Sequence, residues 1–305
     1  MLANEGQYLL DIFADEAGTI YTSTCTPGTE MSGDIIFDRD LFAVQTTSSR
    51  EAYHIPFTGT CGQGLRLIFN EDSNGGQVLG MWRILTMAKN SLEGSVGLDF
   101  WTRKIPMLWP EEEGDYYDGE SVHITRGDHW DVVGHELGHA IYDQANVGDS
   151  RGGEHYIDRC YNGTMALSEG WASYFSAWLS IDLADPDAKF QYMVPRRAPI
   201  QVENVPADVC TGQANEWRVT SFFWDIIDSH DDGEATNENF AAVWQALFNS
   251  HSRNSAAAAR RLVEAGVVSQ GTLEVLWQLS FGAPYTPEDE NEIIDPELAR
   301  LTSGS

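Results

Sequence analysis

Basic residues are scarce in this sequence. It contains only three lysines, and 18 lysine and arginine residues face 47 aspartate and glutamate residues, which gives a formal net charge of −29. A nucleic-acid-binding protein needs cations to replace the counterions of the phosphates, so this balance excludes that class of partner. It equally excludes electrostatic docking on an anionic membrane surface.

Long apolar stretches are also lacking, and none approaches the length that crosses a bilayer. The first 18 residues have neither the basic region nor the long apolar region of a signal peptide. Two interpretations stay open: an intracellular protein, or the mature form of a secreted one. Disorder is excluded, because 42% of the residues are hydrophobic and ten are tryptophan. The length of 305 residues predicts one large domain or two modest ones.

Cysteine is limited to four residues, Cys25 and Cys61 in the first quarter of the chain and Cys160 and Cys210 in the second half. Four cysteines allow three disulfide pairings, of which neighbour with neighbour is the simplest. Four reduced, buried thiols are the alternative. Disulfides form in oxidising compartments, so this pairing favours the secreted interpretation.

The pattern of the chain changes near residue 73 and predicts an α+β fold. Before it, short segments rich in β-branched and aromatic residues predict strands at 8–13, 19–24, 34–38, 52–56 and 65–69. After it, strand-like runs occur at 98–109 and 121–125. Apolar residues at helical spacing predict helices at 77–92, 130–144, 165–182, 215–229, 237–249, 254–265 and 271–280. We therefore predict a β-rich unit over residues 1–72 and a second domain over 73–305, mainly helical toward its C-terminus.

The segment His135-Glu136-Leu137-Gly138-His139 carries the strongest chemical signal. Positions i and i+4 lie on one face of a helix, so His135 and His139 can bring two imidazoles to one Zn²⁺. Glu136, one step around the helix, is placed to act as a general base on a water that the zinc activates. A chance pentapeptide on a solvated helix is the alternative.

A catalytic zinc takes three protein ligands and keeps one position open. The extended metzincin motif fails here, because Tyr142 and Ala145 occupy the places of its glycine and third histidine. Glu169 is a better third ligand, since it lies on or beside the apolar stripe of the predicted helix 165–182, where an unpaired carboxylate is costly. Its alternative role is an acid favoured by the helix dipole. His155, in a predicted loop, is a rival that ranks below Glu169.

The two motifs together, HELGH at 135–139 and SEGWASYF at 168–175, resemble those of the gluzincin metallopeptidases, the clan of the thermolysin-like and aminopeptidase families. The resemblance implies His135, His139 and Glu169 as zinc ligands and Glu136 as base and proton shuttle. It implies a zincin-like catalytic domain with a small mixed sheet above a helical subdomain. The edge strand of that sheet would be 121–125, which would pair with an extended peptide substrate.

The sequence departs from the clan after Glu169. Thermolysin-like enzymes carry an aspartate four residues later that orients a ligand histidine, and this position is Ser173. Asp131, Asp143 and Asp225 are candidates for that support. The motif that anchors a substrate N-terminus in exopeptidases is not visible, so we expect an endopeptidase.

Peptide hydrolysis also needs a donor for the developing oxyanion, which the resemblance implies is tyrosine or histidine. Tyr174, His230 and Tyr156 are the candidates, and the sequence leaves the choice open. A loop histidine without catalytic function is the alternative for His230. Arg218 either binds a substrate carboxylate or pairs with Glu216.

The segment 228–234 resembles the start of a calcium loop, but it has histidine at the third position and Asn239 where an EF-hand has glutamate. A solvated turn is the alternative to this second, Ca²⁺ site. The sequence as a whole predicts a secreted zinc endopeptidase that acts on proteins or peptides. An inactive metallopeptidase-like binding protein and a zinc hydrolase of non-peptide amides or esters are the alternatives, and oligomeric state is open.

Overall fold

The computed structural model describes residues 2–4, 7–12, 28–60, 63, 65–149, 153–230, 233 and 236–286. The fold is α+β, as predicted. The helices of these residues are α1 (Asn74–Ser95), α2 (Trp130–Gln144), α3 (Gly163–Ser180), α4 (Glu216–Ile227), α5 (Phe240–Leu247), α6 (Ser255–Glu264) and α7 (Gln270–Phe281). Their strands are β1 (Leu2–Asn4), β2 (Gln7–Ile12), β3 (Glu30–Ile36), β4 (Phe42–Thr46), β5 (His54–Thr60), β6 (Leu65–Asn70), β7 (Ile105–Trp109), β8 (Tyr116–Tyr117), β9 (Val122–His123), β10 (Lys189–Phe190) and β11 (Ile200–Gln201).

A four-stranded mixed sheet stands beside the helices, with the strand order β4-β7-β9-β8. β4 pairs with β7 and β7 with β9 in parallel, whereas β8 is antiparallel to β9. The small mixed sheet is therefore present, but the prediction that 121–125 forms its edge was wrong. β9 lies between β7 and β8, so β8 is the edge strand on that side.

The remaining strands of the first 70 residues form two smaller sheets, β1-β2-β6 and β3-β5. β4 belongs instead to the mixed sheet, where its Phe42 and Val44 share one hydrophobic core with Val122 and Leu137. This pairing crosses the predicted division at residue 72, and the two-domain boundary stays a prediction. The predicted strand 19–24 and the predicted Cys25–Cys61 pair lie outside the described residues.

Helices α2 and α3 approach each other closely, and this contact brings the two sequence motifs together. A Cβ atom at Gly138 would lie 2.8 Å from the Cα of Ala172, so only glycine allows this approach. A Cβ at Gly170 would similarly lie 2.4 Å from the Cβ of Val219. Glycine at this position therefore allows α4 to pack closely against α3. Glycine in a helix interior costs about 0.5–1 kcal/mol relative to alanine, and here it permits the packing of three helices.

None of the helices among the described residues has the length and apolarity needed to cross a membrane.

Candidate metal centre

Three side-chain atoms from α2 and α3 meet in a nearly equilateral triangle. Nε2 of His135 lies 3.1 Å from Nε2 of His139 and 3.1 Å from Oε2 of Glu169, and Nε2 of His139 lies 3.0 Å from the same oxygen. One face of α2 supplies both histidines, as the i, i+4 spacing predicts. Glu169 projects from the first half of α3 and is buried.

The geometry fits a zinc ion. Bonds of about 2.0–2.1 Å in a tetrahedral shell place the ligand atoms about 3.3 Å apart, close to the observed edges of the triangle. The donor set of two imidazoles and one carboxylate is one that zinc accepts in catalytic sites. Without a cation, the two histidines keep the carboxyl group of Glu169 ionised. Burial alone would raise its pKa, but His139 and His135 hold the pKa of Glu169 well below its usual range.

Two serines on α3 contact the outer nitrogens of His135 and His139. Ser173 Oγ lies 3.0 Å from Nδ1 of His135, and Ser168 Oγ lies 3.4 Å from Nδ1 of His139. These contacts turn each Nε2 toward Glu169. Ser173, at the position where the resemblance led us to expect an aspartate, therefore contacts His135 directly.

The three aspartates predicted to support the ligands do not contact them. Asp143 accepts hydrogen bonds from Arg103 and the hydroxyl of Tyr117. Asp225 accepts hydrogen bonds from Ser221 of the same helix and from Ser280 of α7. Asp131 binds a neighbouring loop, as described below. Helix α3 supplies the outer contacts of the histidines by itself, which makes a distant aspartate unnecessary.

Glu136 follows His135 on α2, is almost fully buried and lines the same cavity as the three ligand candidates. Burial raises its pKa above the usual range. A carboxylate with a raised pKa is a better general base near neutral pH than an exposed one. The position and the environment of Glu136 therefore suit a proton-transfer role.

His155 and Glu216 complete the wall beside the triangle. Nδ1 of His155 contacts the carbonyl oxygen of Gly153 at 3.0 Å, so its Nε2 faces Glu216 at 3.4 Å and Glu169 at 3.7 Å. Burial would lower the pKa of His155, but the two carboxylates raise it. Burial raises the pKa of Glu216 to about 7. His155 therefore lies next to the three ligand candidates without being a corner of their triangle.

Glu216 was predicted only as a partner of Arg218, and that pairing was wrong. The guanidinium of Arg218 donates to the backbone carbonyls of Cys210, Ser280 and Val209. It is thus buried in a structural role and does not reach the cavity. A substrate carboxylate cannot reach it there either.

The predicted oxyanion donors Tyr174, His230 and Tyr156 do not line the cavity of the triangle. Tyr174 is wholly buried among Trp171, Phe223 and Phe240. Five positions along a helix rotate a side chain by about 140°, so Tyr174 points away from the face that carries Glu169.

His230 lies at a second cluster, where its Nδ1 contacts Oε1 of Glu203 at 2.7 Å. Glu203, Asp228 and His230 bring one potential ligand atom each within 4.8 Å of one another. This cluster includes the start of the segment that resembles a calcium loop, and Ca²⁺ there stays a prediction. Tyr156 is exposed on the surface, with the guanidinium of Arg196 over its ring at 4.4 Å.

The cavity around the triangle has a volume of about 520 Å³. On one side it is bordered by edge strand β8 with Tyr116 and Tyr117, and on the other by the segment 192–195. Its lining has four carboxylates, and none of its described residues is lysine or arginine: the acids are Asp115, Glu136, Glu169 and Glu216. The cavity therefore favours neutral or basic groups over acidic ones.

A buried histidine holds edge strand β8 against its neighbour. Nδ1 of His123, on β9, lies 2.9 Å from Glu111, and its Nε2 lies 3.0 Å from Asp118. The His123 ring also stacks on Tyr116 with the ring centres 4.1 Å apart. The hydrogen bond to His123 is the main reason that the pKa of Glu111 is lowered. This arrangement fixes the strand that borders the cavity.

Asp131 fixes the opposite wall. It is fully buried on α2, and its Oδ2 accepts hydrogen bonds from the backbone N–H groups of Gln191, Tyr192 and Met193 at 2.7, 2.6 and 3.2 Å. Its Oδ1 accepts from the N–H of Val132 at 2.9 Å. One carboxylate thus attaches the segment that borders the cavity to the helix that carries both histidines.

We expect Asp131→Ala to lower the free energy of unfolding by about 3 kcal/mol or more, because each buried N–H without an acceptor costs about 1–3 kcal/mol. Denaturant unfolding of the variant measures this loss. Asp182→Ala is the matched control, since the exposed side chain of Asp182 accepts one hydrogen bond, from the backbone N–H of Ala184. Equal, small losses in the two variants would contradict the role of Asp131.

Cys160 and Cys210 form a disulfide, as the neighbour pairing predicts. It links the segment that carries His155 to the segment that precedes α4. His155 was predicted only as a rival zinc ligand in a loop. The predicted pairing of Cys160 with Cys210 is the sequence signal that places it close to the start of the helix predicted at 215.

The chain matches a known protein family and is similar to a solved structure. The family described as Mycolysin C-terminal domain matches residues 101–269, more than half of the chain and the part that contains α2, α3 and α4. Among solved structures, the chain is similar to the precursor of protealysin, a metalloproteinase from Serratia proteamaculans. The identity is 13%, the match covers 86% of this chain and 89% of that chain, and the TM-score is 0.41. No curated protein sequence matches the chain.

Proposed function

Because the chain belongs to the Mycolysin C-terminal domain family, we propose that it is a zinc-dependent peptidase of gluzincin type that cleaves peptide bonds within chains. The observation that carries this proposal is the triangle of His135, His139 and Glu169 with Glu136 beside it. These three residues would hold the zinc. When bound, zinc supplies a Lewis acid that lowers the pKa of water toward neutrality and polarises a carbonyl.

Glu136 moves the protons of the reaction. Its carboxylate takes a proton from the attacking water and returns it to the nitrogen of the leaving amine, so the same group serves as base and then as acid. Burial keeps competing solvent away from this carboxylate and raises its pKa toward that of the groups between which it transfers protons. No other carboxylate is needed for the proton balance.

His155 is our proposed donor to the carbonyl oxygen that becomes negatively charged. Its Nδ1 is held by the carbonyl of Gly153, and its Nε2 faces the cavity between Glu216 and Glu169. A fixed N–H at this place stabilises the developing charge more than water does. The nearby carboxylate of Glu216 favours the protonated form of the His155 imidazole. This is the form in which the ring nitrogen that faces the cavity carries a proton to donate.

Substrate binding uses the edge strand β8. The outer side of an edge strand has free backbone donors and acceptors, and an extended peptide can pair with it. Tyr116 and Tyr117 of this strand border the cavity. Because the lining has four carboxylates, peptides with acidic residues near the cleaved bond are poorer substrates than neutral or basic ones.

A quenched-fluorescence peptide library tests the function. We expect cleavage inside the peptides, complete loss on treatment with 1,10-phenanthroline, and recovery on addition of one equivalent of zinc. Bound zinc without cleavage of any peptide would favour the binding-protein alternative. Cleavage of simple amides or esters alone would favour the non-peptide hydrolase.

The argument for an inactive binding protein is now weaker. That observation was the absence of an aspartate four residues after Glu169, and Ser173 at this position contacts His135 at 3.0 Å. We also propose that the protein works outside the cytoplasm, since the Cys160–Cys210 disulfide is stable in an oxidising compartment.

A further inference from the structure

Asn215 is fully buried, and its side-chain amide makes three hydrogen bonds that join two segments of the chain. Its Oδ1 accepts from the backbone N–H of Arg218 at 3.0 Å. Its Nδ2 donates to the carbonyl oxygens of Ile157 at 2.9 Å and Arg159 at 2.8 Å. The side chain is therefore an N-cap for α4 and, at the same time, a clamp on the segment that follows His155.

These bonds fix two groups of the cavity relative to each other. Glu216 is the first residue of α4, directly after the cap. His155 lies two residues before Ile157. Since Nε2 of His155 and Oε2 of Glu216 are 3.4 Å apart, a shift of either segment changes the direction in which the imidazole points.

Other contacts join the same two segments through residues that do not line the cavity. The N–H of Tyr161 donates to the carbonyl of Ala214 at 2.9 Å, and the Cys160–Cys210 disulfide adds a covalent link. None of the hydrogen bonds described for Asn215 goes to the side chains of His135, His139 or Glu169. A change at Asn215 therefore leaves the direct contacts among His135, His139 and Glu169 in place.

We propose that Asn215 is a positioning residue that orients His155 for its role at the carbonyl oxygen. This inference rests on the proposed function for the role of His155, whereas the clamp itself is independent of that function. An amide is required, because only an amide combines a cap acceptor with two donors. Aspartate keeps the cap and turns an oxygen toward the carbonyls of Ile157 and Arg159. Serine keeps the cap and removes the donors to these carbonyls.

The experiment compares Asn215→Ser and Asn215→Asp with Asn239→Asp as the control. Asn239 is an exposed N-cap on α5, where its side chain accepts from Ala242. We expect kcat to fall about 10- to 100-fold in both Asn215 variants, the loss that a displacement of about 1 Å causes. Zinc content and the kcat of Asn239→Asp should stay at the wild-type values. Unchanged kcat in Asn215→Ser would overturn the proposal, even if the aspartate variant does not fold.

A double-mutant cycle separates positioning from general destabilisation. In an His155→Ala background, Asn215→Ser should have no further effect on kcat, because the residue that it orients is gone. A second loss of the same factor in that background would overturn the proposal.

Hydrogen exchange tests the clamp without any activity. Amides of residues 153–162 should exchange faster in Asn215→Ser than in the wild type, while those of α2 should not change. If the wild type cleaves no peptide, the proposed function fails and this measurement still decides on the clamp. Unchanged exchange in 153–162 would show that Asn215 does not hold the segment.

Discussion

Replacing Glu136 by glutamine should lower kcat about 1,000-fold while zinc stays bound, since positioned acid–base groups contribute about 10²–10⁴-fold to rates. Glutamine has the size of glutamate but cannot accept the proton of water. The three ligand candidates do not include Glu136, so metal content should not change. Glu136 is also buried, and an amide there avoids the desolvation of a charge, so the variant should fold.

Two measurements check this prediction: steady-state kinetics on one cleaved peptide, and zinc content by mass spectrometry of the purified protein. Glu154→Gln is the control, because Glu154 is an exposed glutamate next to His155. A Glu136→Gln variant with the kcat of this control would contradict the assignment of the base. A variant that loses zinc would instead move Glu136 into the ligand set.

Replacing Glu169 by glutamine should have the largest effect on zinc binding. Glu169 is the one anionic corner of the triangle, and its Oε2 contacts both histidines. Loss of an outer partner of a ligand costs about 10–100-fold in metal affinity, and the loss of a ligand itself should exceed this range. Peptidase activity should be lost together with the zinc.

Ser173→Ala gives the comparison for Glu169→Gln. Ser173 contacts the outer nitrogen of His135, so its loss should weaken zinc by about 10–100-fold and no more. Competition with a chelator of known affinity measures both variants. Equal zinc affinities in wild type and Glu169→Gln would show that another residue, with His155 as the first candidate, completes the site.

The helices that carry the candidate metal centre could be predicted from the sequence because their signals are local. The helix predicted at 130–144 has the bounds of α2, and the helix predicted at 165–182 overlaps α3. The i, i+4 spacing of the histidines and the cost of a buried carboxylate at Glu169 depend on helix geometry alone. The structure brings these three residues together with Glu136 beside them.

The wrong predictions depend on contacts between distant parts of the chain. Strand β4 was missed and 121–125 was assigned to the edge, because strand order depends on pairing partners that lie far apart in the sequence. His155 has no periodic pattern around it and reaches the site through a loop held by a disulfide and by Asn215. Tyr174 was one of three open candidates for the oxyanion donor, and its angle on the helix points it away from Glu169.

A crystal of the zinc-loaded protein, measured on both sides of the zinc absorption edge, tests the central claim most directly. The proposed function predicts one strong anomalous peak between Nε2 of His135, Nε2 of His139 and a carboxylate oxygen of Glu169. A protein that cleaves peptides but shows no peak there, or shows its zinc only at Glu203, Asp228 and His230, would contradict it.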